Sequence, residues 1–409
     1  MKCSVRPTLC VVALACLLAS GSTRAADQSS CELTIKAGKH DRQNTPVSVL
    51  IPAAAEMKSA LLADNGGTRI QAQLTAPGLL AGSAEGKREL HFILPSLKKG
   101  QSISLEATLS SDPPAGGFAW QDTPGKHTEL SYGDRPVLRY MYEAMDPDDR
   151  ERTYKVFHHL YNPAGSRLVT KGHGGQYTHH RGIFFGFNRC SYEDGKCDTW
   201  HCTGDAYLSH EGIVDQQTGP VLGRHAVKVD WHGPPKKVFA HEQRELTVYD
   251  VPGGQMVEFA SRLASNGGTV KVDGDPQHAG FQFRAAQDVA EGDQKATYYL
   301  RPDGKGEPGE TRNWPGNKDF VNLPFNAMSF VIEGTRYTAV YIDKPTNPKE
   351  ARFSERTYGR FGSYFVHEIQ PDAPLEVNYR IWLQEGEMTV DQAATLSTDF
   401  VEPVEVIVN

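Results

Sequence analysis

The sequence predicts a mainly β protein: a small N-terminal β-domain followed by a large antiparallel β-sandwich. Three observations predict it. Segments of six to ten residues alternate apolar and polar side chains along much of the chain, the period of half-buried strands. Between them fall clusters of turn residues, such as Pro252-Gly253-Gly254, Asn266-Gly267-Gly268 and Arg301-Pro302-Asp303-Gly304. Stretches with helical periodicity are few.

Taken in order, 88-RELHFILP-95 and 101-QSISLEATLS-110 supply strands to a small domain over residues 26–115, in which 52-PAAAEMKSALLA-63 reads as a weak helix. The Pro- and Gly-rich segment 111-SDPPAGGFAWQDTPGKH-127 marks a boundary. Beyond it, 225-HAVKVDW-231, 244-RELTVYDV-251, 256-MVEFASRLA-264, 269-TVKVDG-274 and 375-LEVNYRIWL-383 are strands of a second domain over 120–405. The best helix is 389-TVDQAATLSTDF-400.

At the N-terminus, Lys2 and Arg6 precede an apolar run from Leu9 to Ala19, and Thr23-Arg24-Ala25 supplies small residues at a cleavage site. Residues 1–25 therefore read as a secretory signal peptide, which places the mature chain in the periplasm or outside the cell. No later segment approaches the roughly 18 apolar residues of a membrane span. Four cysteines remain after the leader, Cys31, Cys190, Cys197 and Cys202, an even set in a compartment that permits disulfides. The rival for the last three is zinc shared with His201. The net charge of −7, more negative once the basic leader is removed, argues against nucleic acid as a partner.

The candidate chemistry begins at 171-KGHGGQYTHHRGIFFGFN-188. His173 sits on a glycine-flanked loop, while His179, His180 and Arg181 run into an aromatic segment. Adjacent residues of a strand point to opposite faces, so His179 and His180 line one pocket only where the backbone turns. A second cluster, 275-DPQHAGFQFRAAQD-288, holds Asp275, His278 and Arg284. A third, 352-RFSERTYGRFGSYFVHE-368, holds Tyr358, Arg360 and Glu368, and Glu242 lies in 240-AHEQREL-246. There is no G-x-S-x-G elbow, phosphate loop, H-E-x-x-H helix or dinucleotide fingerprint.

The segment 178-THHRGIFFGFN-188, with its lead-in 160-LYNPAGSRLVTKG-172 and with 278-HAGFQFRAA-286, resembles the secreted bacterial family called methane-oxygenase PmoA-like, in which a His-His-Arg-Gly-aromatic signature recurs. The resemblance covers residues 120 to 405. It implies a polysaccharide-degradation setting and hence a glycan substrate; methane oxidation does not suit a chain without a membrane span.

The reading that follows is an exported protein that cleaves glycosidic bonds as a hydrolase or a lyase. His173, His179, His180, His278, Glu242 and Glu368 are the acid/base candidates, and Arg181, Arg284, Tyr358 and Arg360 hold the sugar. A hydrolase needs two facing carboxyl groups, whereas a lyase needs a cation at a uronate carboxylate with His or Tyr as base and acid. An epimerase on a mutarotase-like supersandwich, a binding protein without turnover and a metal-dependent enzyme with a histidine cluster stay open. No cofactor is expected and no residue is assigned to a metal; zinc, copper or calcium stays as an alternative.

Overall fold

The computed structural model describes residue 1 and residues 30–409. The expected leader, residues 1–25, lies outside the described residues apart from residue 1. The protein is mostly β, and its strands form antiparallel sheets.

The first sheet has seven strands in the order Arg42–Pro52, Lys87–Leu97, Arg69–Thr75, Ser59–Ala63, Ser102–Ser110, Ser30–Lys36 and Glu405–Val408. It is built from residues 30–110 and completed by the last strand of the chain. One face carries its own apolar core, with Leu33, Ile35, Leu62, Leu90, Phe92 and Leu105 fully buried. The helix expected over 52–63 is instead a turn followed by the strand Ser59–Ala63. Ala60 and Leu62 are buried while Leu61 is exposed, and both edges of the strand are paired, so tertiary pairing overrides the helix propensity of the alanines.

The helix Val390–Val401 forms as expected, opened by a capping box between Thr389 and Gln392. Its buried Asp399 accepts from Arg42 Nη1 at 2.9 Å and from Thr45 Oγ1 at 2.9 Å, which ties this helix to the first sheet.

Residues 118 to 385 form the sandwich. An eight-stranded sheet runs in the order Arg352–Arg356, Arg360–Tyr364, Ala279–Arg284, Ile183–Phe187, Phe157–Leu160, Arg135–Met141, His127–Tyr132 and Phe118–Thr123. A nine-stranded sheet, centred on Lys237–Val251, Gly254–Ser265 and Leu375–Glu385, packs against it. Aromatic rings from both sheets interlock: Phe185 lies 5.8 Å from Phe259, and Phe281 stacks on Tyr379 at 4.5 Å. A four-stranded sheet of Gly195–Cys197, Arg189–Tyr192, Val270–Asp273 and His367–Ile369 adjoins the end at which Ile183–Phe187 closes and Ala279–Arg284 opens.

The four cysteines are free thiols, which corrects the expected disulfides. Cys31 belongs to the first sheet, remote from the other three. Cys190 and Cys202 are buried, with their Sγ atoms directed to the carbonyls of Phe187 and Thr199, so they pack as small apolar groups. Cys190 and Cys197 face each other across an antiparallel pair as thiols.

Candidate functional site

The strands Ile183–Phe187 and Ala279–Arg284 are register partners, with Ile183 opposite Phe283 and Phe187 opposite Ala279. The pair is antiparallel, so the loops that open the two strands leave opposite ends of it, yet the histidines they carry meet: the rings of His179 and His180 lie 5.2 and 5.4 Å from that of His278. His278 closes the turn Asp275–His278, whose carbonyl accepts from Asn188 N. His179 and His180 precede their strand in a turn closed by His180 N donating to Tyr177 O at 3.0 Å, with Tyr177 in the left-handed region at φ 55°. Strand alternation therefore does not apply to this pair: the backbone turns, and the two rings lie 4.4 Å apart on one side.

His201, which the sequence groups only with the cysteines, joins them. Its ring lies 4.4 Å from that of His179 and 4.6 Å from that of His278. Asp198 organises its turn by accepting from Trp200 N and His201 N, and its other carboxylate oxygen holds His201 Nδ1 at 2.6 Å. Asp275 plays the same part for His278, holding Nδ1 at 3.0 Å. Asp-x-x-His thus occurs twice, in 198-DTWH-201 and 275-DPQH-278, and this repeated spacing is the sequence signal that identifies His201 and Asp198.

Burial pushes the His179 imidazole down to about 3, with His201 adding to the effect, and holds His180 well below the ordinary histidine range, with Arg360 adding to it. Both rings are therefore neutral at physiological pH. Against the upward push of burial, the hydrogen bond with His278 keeps the Asp275 carboxyl below its usual range. Beneath the cluster, the fully buried Lys155 donates to His179 O at 3.0 Å and also to Trp200 O, and burial pulls its ammonium down to about 7.

Two arginines complete the site. Arg284 is fully buried, and its Nη1 donates to Ala285 O and Tyr358 O, while its Nε and Nη2 have no partner among the described residues. Tyr358 covers this guanidinium at 5.0 Å and is itself covered by the exposed Tyr177 at 4.6 Å. Arg360, also fully buried, spends Nη1 on Pro276 O, Gln282 Oε1 and Ser354 Oγ, and leaves Nε and Nη2 unpartnered. Neither makes a salt bridge among the described residues.

The other expected residues lie elsewhere. His173 is exposed and lines a separate cavity of about 300 Å³ with Arg139, Arg152 and His159. Arg181 is buried against Tyr154 and Phe157, with Nη2 donating to Glu151 O at 2.7 Å. Glu242 is sealed inside the sandwich, where it accepts from Arg244 Nε and Nη2 at 2.8 Å, Trp231 Nε1 at 2.9 Å and Ser261 Oγ at 2.9 Å. Glu368 is exposed on the strand His367–Ile369, opposite Lys271.

Comparison with known proteins adds a family. Residues 127–398 match the model of a family described as Family of unknown function (DUF6807), and the chain belongs to that family. This corrects the resemblance to methane-oxygenase PmoA-like proteins, to which nothing in the match points. No curated protein matches. Among solved structures, a protein in the glycosyl hydrolase family 38 from Enterococcus faecalis is similar at 9% identity, over 93% of this chain and 47% of that chain, with a TM-score of 0.40. The chain spans about half the length of that protein. Among the described residues, no helix is long and apolar enough to cross a membrane.

Proposed function

We propose that this member of the family is an exported enzyme that cleaves a carboxylate-bearing glycan by elimination. The observation that carries the reading is the pair of buried guanidinium groups, Arg284 and Arg360, each with Nε and Nη2 unpartnered beside neutral imidazoles. A buried cation without a counter-charge costs several kcal/mol, and a bound carboxylate, accepting from the guanidinium fork, offsets that cost.

Elimination uses this arrangement directly. The arginines draw charge from the uronate carboxylate, so that the proton on the adjacent carbon leaves to a neutral base, and His180, with both ring nitrogens unpartnered, is the group in place. The electron pair left behind forms a carbon–carbon double bond as the glycosidic carbon–oxygen bond breaks. The departing oxygen then takes a proton from the Tyr358 hydroxyl. Hydrolysis by two carboxyl groups has less support, because Asp198 and Asp275 each hold a histidine and Glu242 is saturated by Arg244, Trp231 and Ser261.

The test is a panel of acidic and neutral polysaccharides, read both for reducing ends and for the ultraviolet absorbance of an unsaturated uronate. Elimination predicts both signals on acidic glycans only, and their loss in Arg284→Met. Reducing ends without the absorbance would move the reading to hydrolysis, and binding without any product would reduce the protein to a glycan binder.

A further inference from the structure

We propose that His179, His201 and His278 form a binding site for one transition-metal ion, of which zinc is the type, with an open fourth position. The inference shares its location with the elimination reading but stands on the imidazoles alone.

One potential ligand atom from each of the three residues lies within 4.8 Å of the others. The three side chains come from three separate loops, so chain proximity does not explain the convergence. Local hydrogen bonding does not explain it either. His179 Nε2 is buried with no protein partner, and no hydrogen bond joins the three rings among the described residues.

The carboxylates decide which nitrogens face the centre. In the neutral rings, Asp198 accepts the Nδ1–H of His201 and Asp275 that of His278, so that Nε2 of both carries a lone pair in place of a proton. A carboxylate that fixes the tautomer and orientation of an imidazole is the outer-shell partner metal-bound histidines almost always have. Here two such pairs occur in one cluster. Charge also balances, since three neutral imidazoles around a divalent ion bring two positive charges and the two aspartates bring two negative ones.

Ligand chemistry selects the class of ion. Three imidazole nitrogens suit zinc, copper, nickel or cobalt, whereas calcium and magnesium take oxygen. The thiols stay outside the set, as Cys190 and Cys202 are directed to backbone carbonyls. Three protein ligands with a vacant position is the pattern of catalytic zinc, which activates a bound water or polarises a substrate oxygen. The rings of His201 and His278 keep side-chain exposures of 29% and 21%, so that position is reached from solvent.

A second grouping shows what is missing when such a site is absent. Glu211, Asp230 and His232 are also close together, but His232 Nε2 is already engaged by Ser209 Oγ at 2.8 Å and Asp230 by His241 at 2.6 Å. No ring nitrogen there is left buried and unpartnered.

The experiment is metal binding by the full chain without substrate. After chelator treatment, the protein is equilibrated with excess zinc, gel-filtered and analysed for metal. About one equivalent is expected, against well under half an equivalent in His201→Ala and in His278→Ala. Cobalt loading of the wild type gives an independent readout, an intense visible absorption of a four-coordinate nitrogen site that zinc displaces. His173→Ala, in the separate cavity, keeps the full equivalent and serves as the control. Less than half an equivalent in the wild type, or unchanged metal in both histidine variants, overturns the proposal. Because no glycan enters the assay, failure of the elimination reading and failure of the metal site are told apart.

Discussion

Two groups of histidines in this protein differ in the features that separate a core from a site. His158 and His225 meet through their Nε2 atoms at 3.0 Å in the middle of the sandwich, both without solvent exposure. Tyr140 stacks on one at 4.6 Å and Trp120 on the other at 4.7 Å, and no carboxylate among the described residues bonds to either ring. His179, His201 and His278 come from three separate loops, two aspartates hold two of the rings by Nδ1, and His179 Nε2 is buried with no partner among the described residues. The sealed pair joins one nitrogen of each ring, Nε2 to Nε2, leaves both Nδ1 atoms buried without a partner among the described residues, and is packed between aromatic rings with no carboxylate to orient it. The open trio brings one potential ligand atom of each ring within 4.8 Å of the others beside two orienting aspartates, and that convergence, more than the count of histidines, makes it a candidate site.

The sharpest way to break this contrast is to truncate one member of each group. His201→Ala is expected to weaken zinc binding by more than about 100-fold, with metal-free melting temperature within about 2 °C of the wild type. His158→Ala is expected to cost about 2–4 kcal/mol in chemical denaturation and to leave zinc binding unchanged, because it opens a cavity and removes the one partner of His225 Nε2. A loss of metal affinity in a well-folded His158→Ala protein would abolish the distinction.

A smaller effect tests the aspartates. Asp275→Asn keeps the volume but changes which ring nitrogen of His278 is protonated, and zinc titration should show about 10–100-fold weaker binding. No change would mean that the carboxylate is incidental.

Smaller again is the pH dependence of the sealed pair. Burial pushes His225 down to about 3 and holds His158 well below its ordinary range. The unfolded chain then binds more protons than the folded one between about pH 3 and 6.5, so the stabilisation is complete above about 6.5 and is lost as pH falls through that window. Thermal melts from pH 7 to 4 should show this decline, and a shallower decline in His225→Leu. An unchanged slope would show that the pair does not titrate with unfolding. The smallest effect belongs to Glu368→Gln, expected to alter turnover of an acidic glycan by less than about twofold, since the residue is exposed on another sheet. A large loss would bring Glu368 back into the site.

Much of the fold was legible in the chain. The alternation in 88-RELHFILP-95, 244-RELTVYDV-251 and 375-LEVNYRIWL-383 became strands because a pleated sheet with one buried face imposes that period locally. The helix at residues 52–63 was misread because pairing with neighbours distant in sequence outweighed local propensity.

The site was only partly legible. His179, His180, His278, Arg284, Arg360 and Tyr358 stand out as chemistry-bearing residues in three segments, but His201 looks like a companion of the thiols until the turn around Asp198 is seen. Glu242 reads as a catalytic acid in sequence, and only the ion pair with Arg244 shows that it is spent.

What the sequence determined by itself was therefore local: strand periods, turn positions, the capped helix at 390–401 and the identity of the reactive groups, all of which depend on a few neighbouring residues. The tertiary structure alone decided which of those groups meet, because strand pairing between residues 183–187 and 279–284 and the turn at 198–201 bring together side chains up to about a hundred positions apart. It also decided which charges lack a partner. Whether Arg284 or Glu242 is satisfied depends on atoms packed around it in space, and no spacing along the chain carries that information.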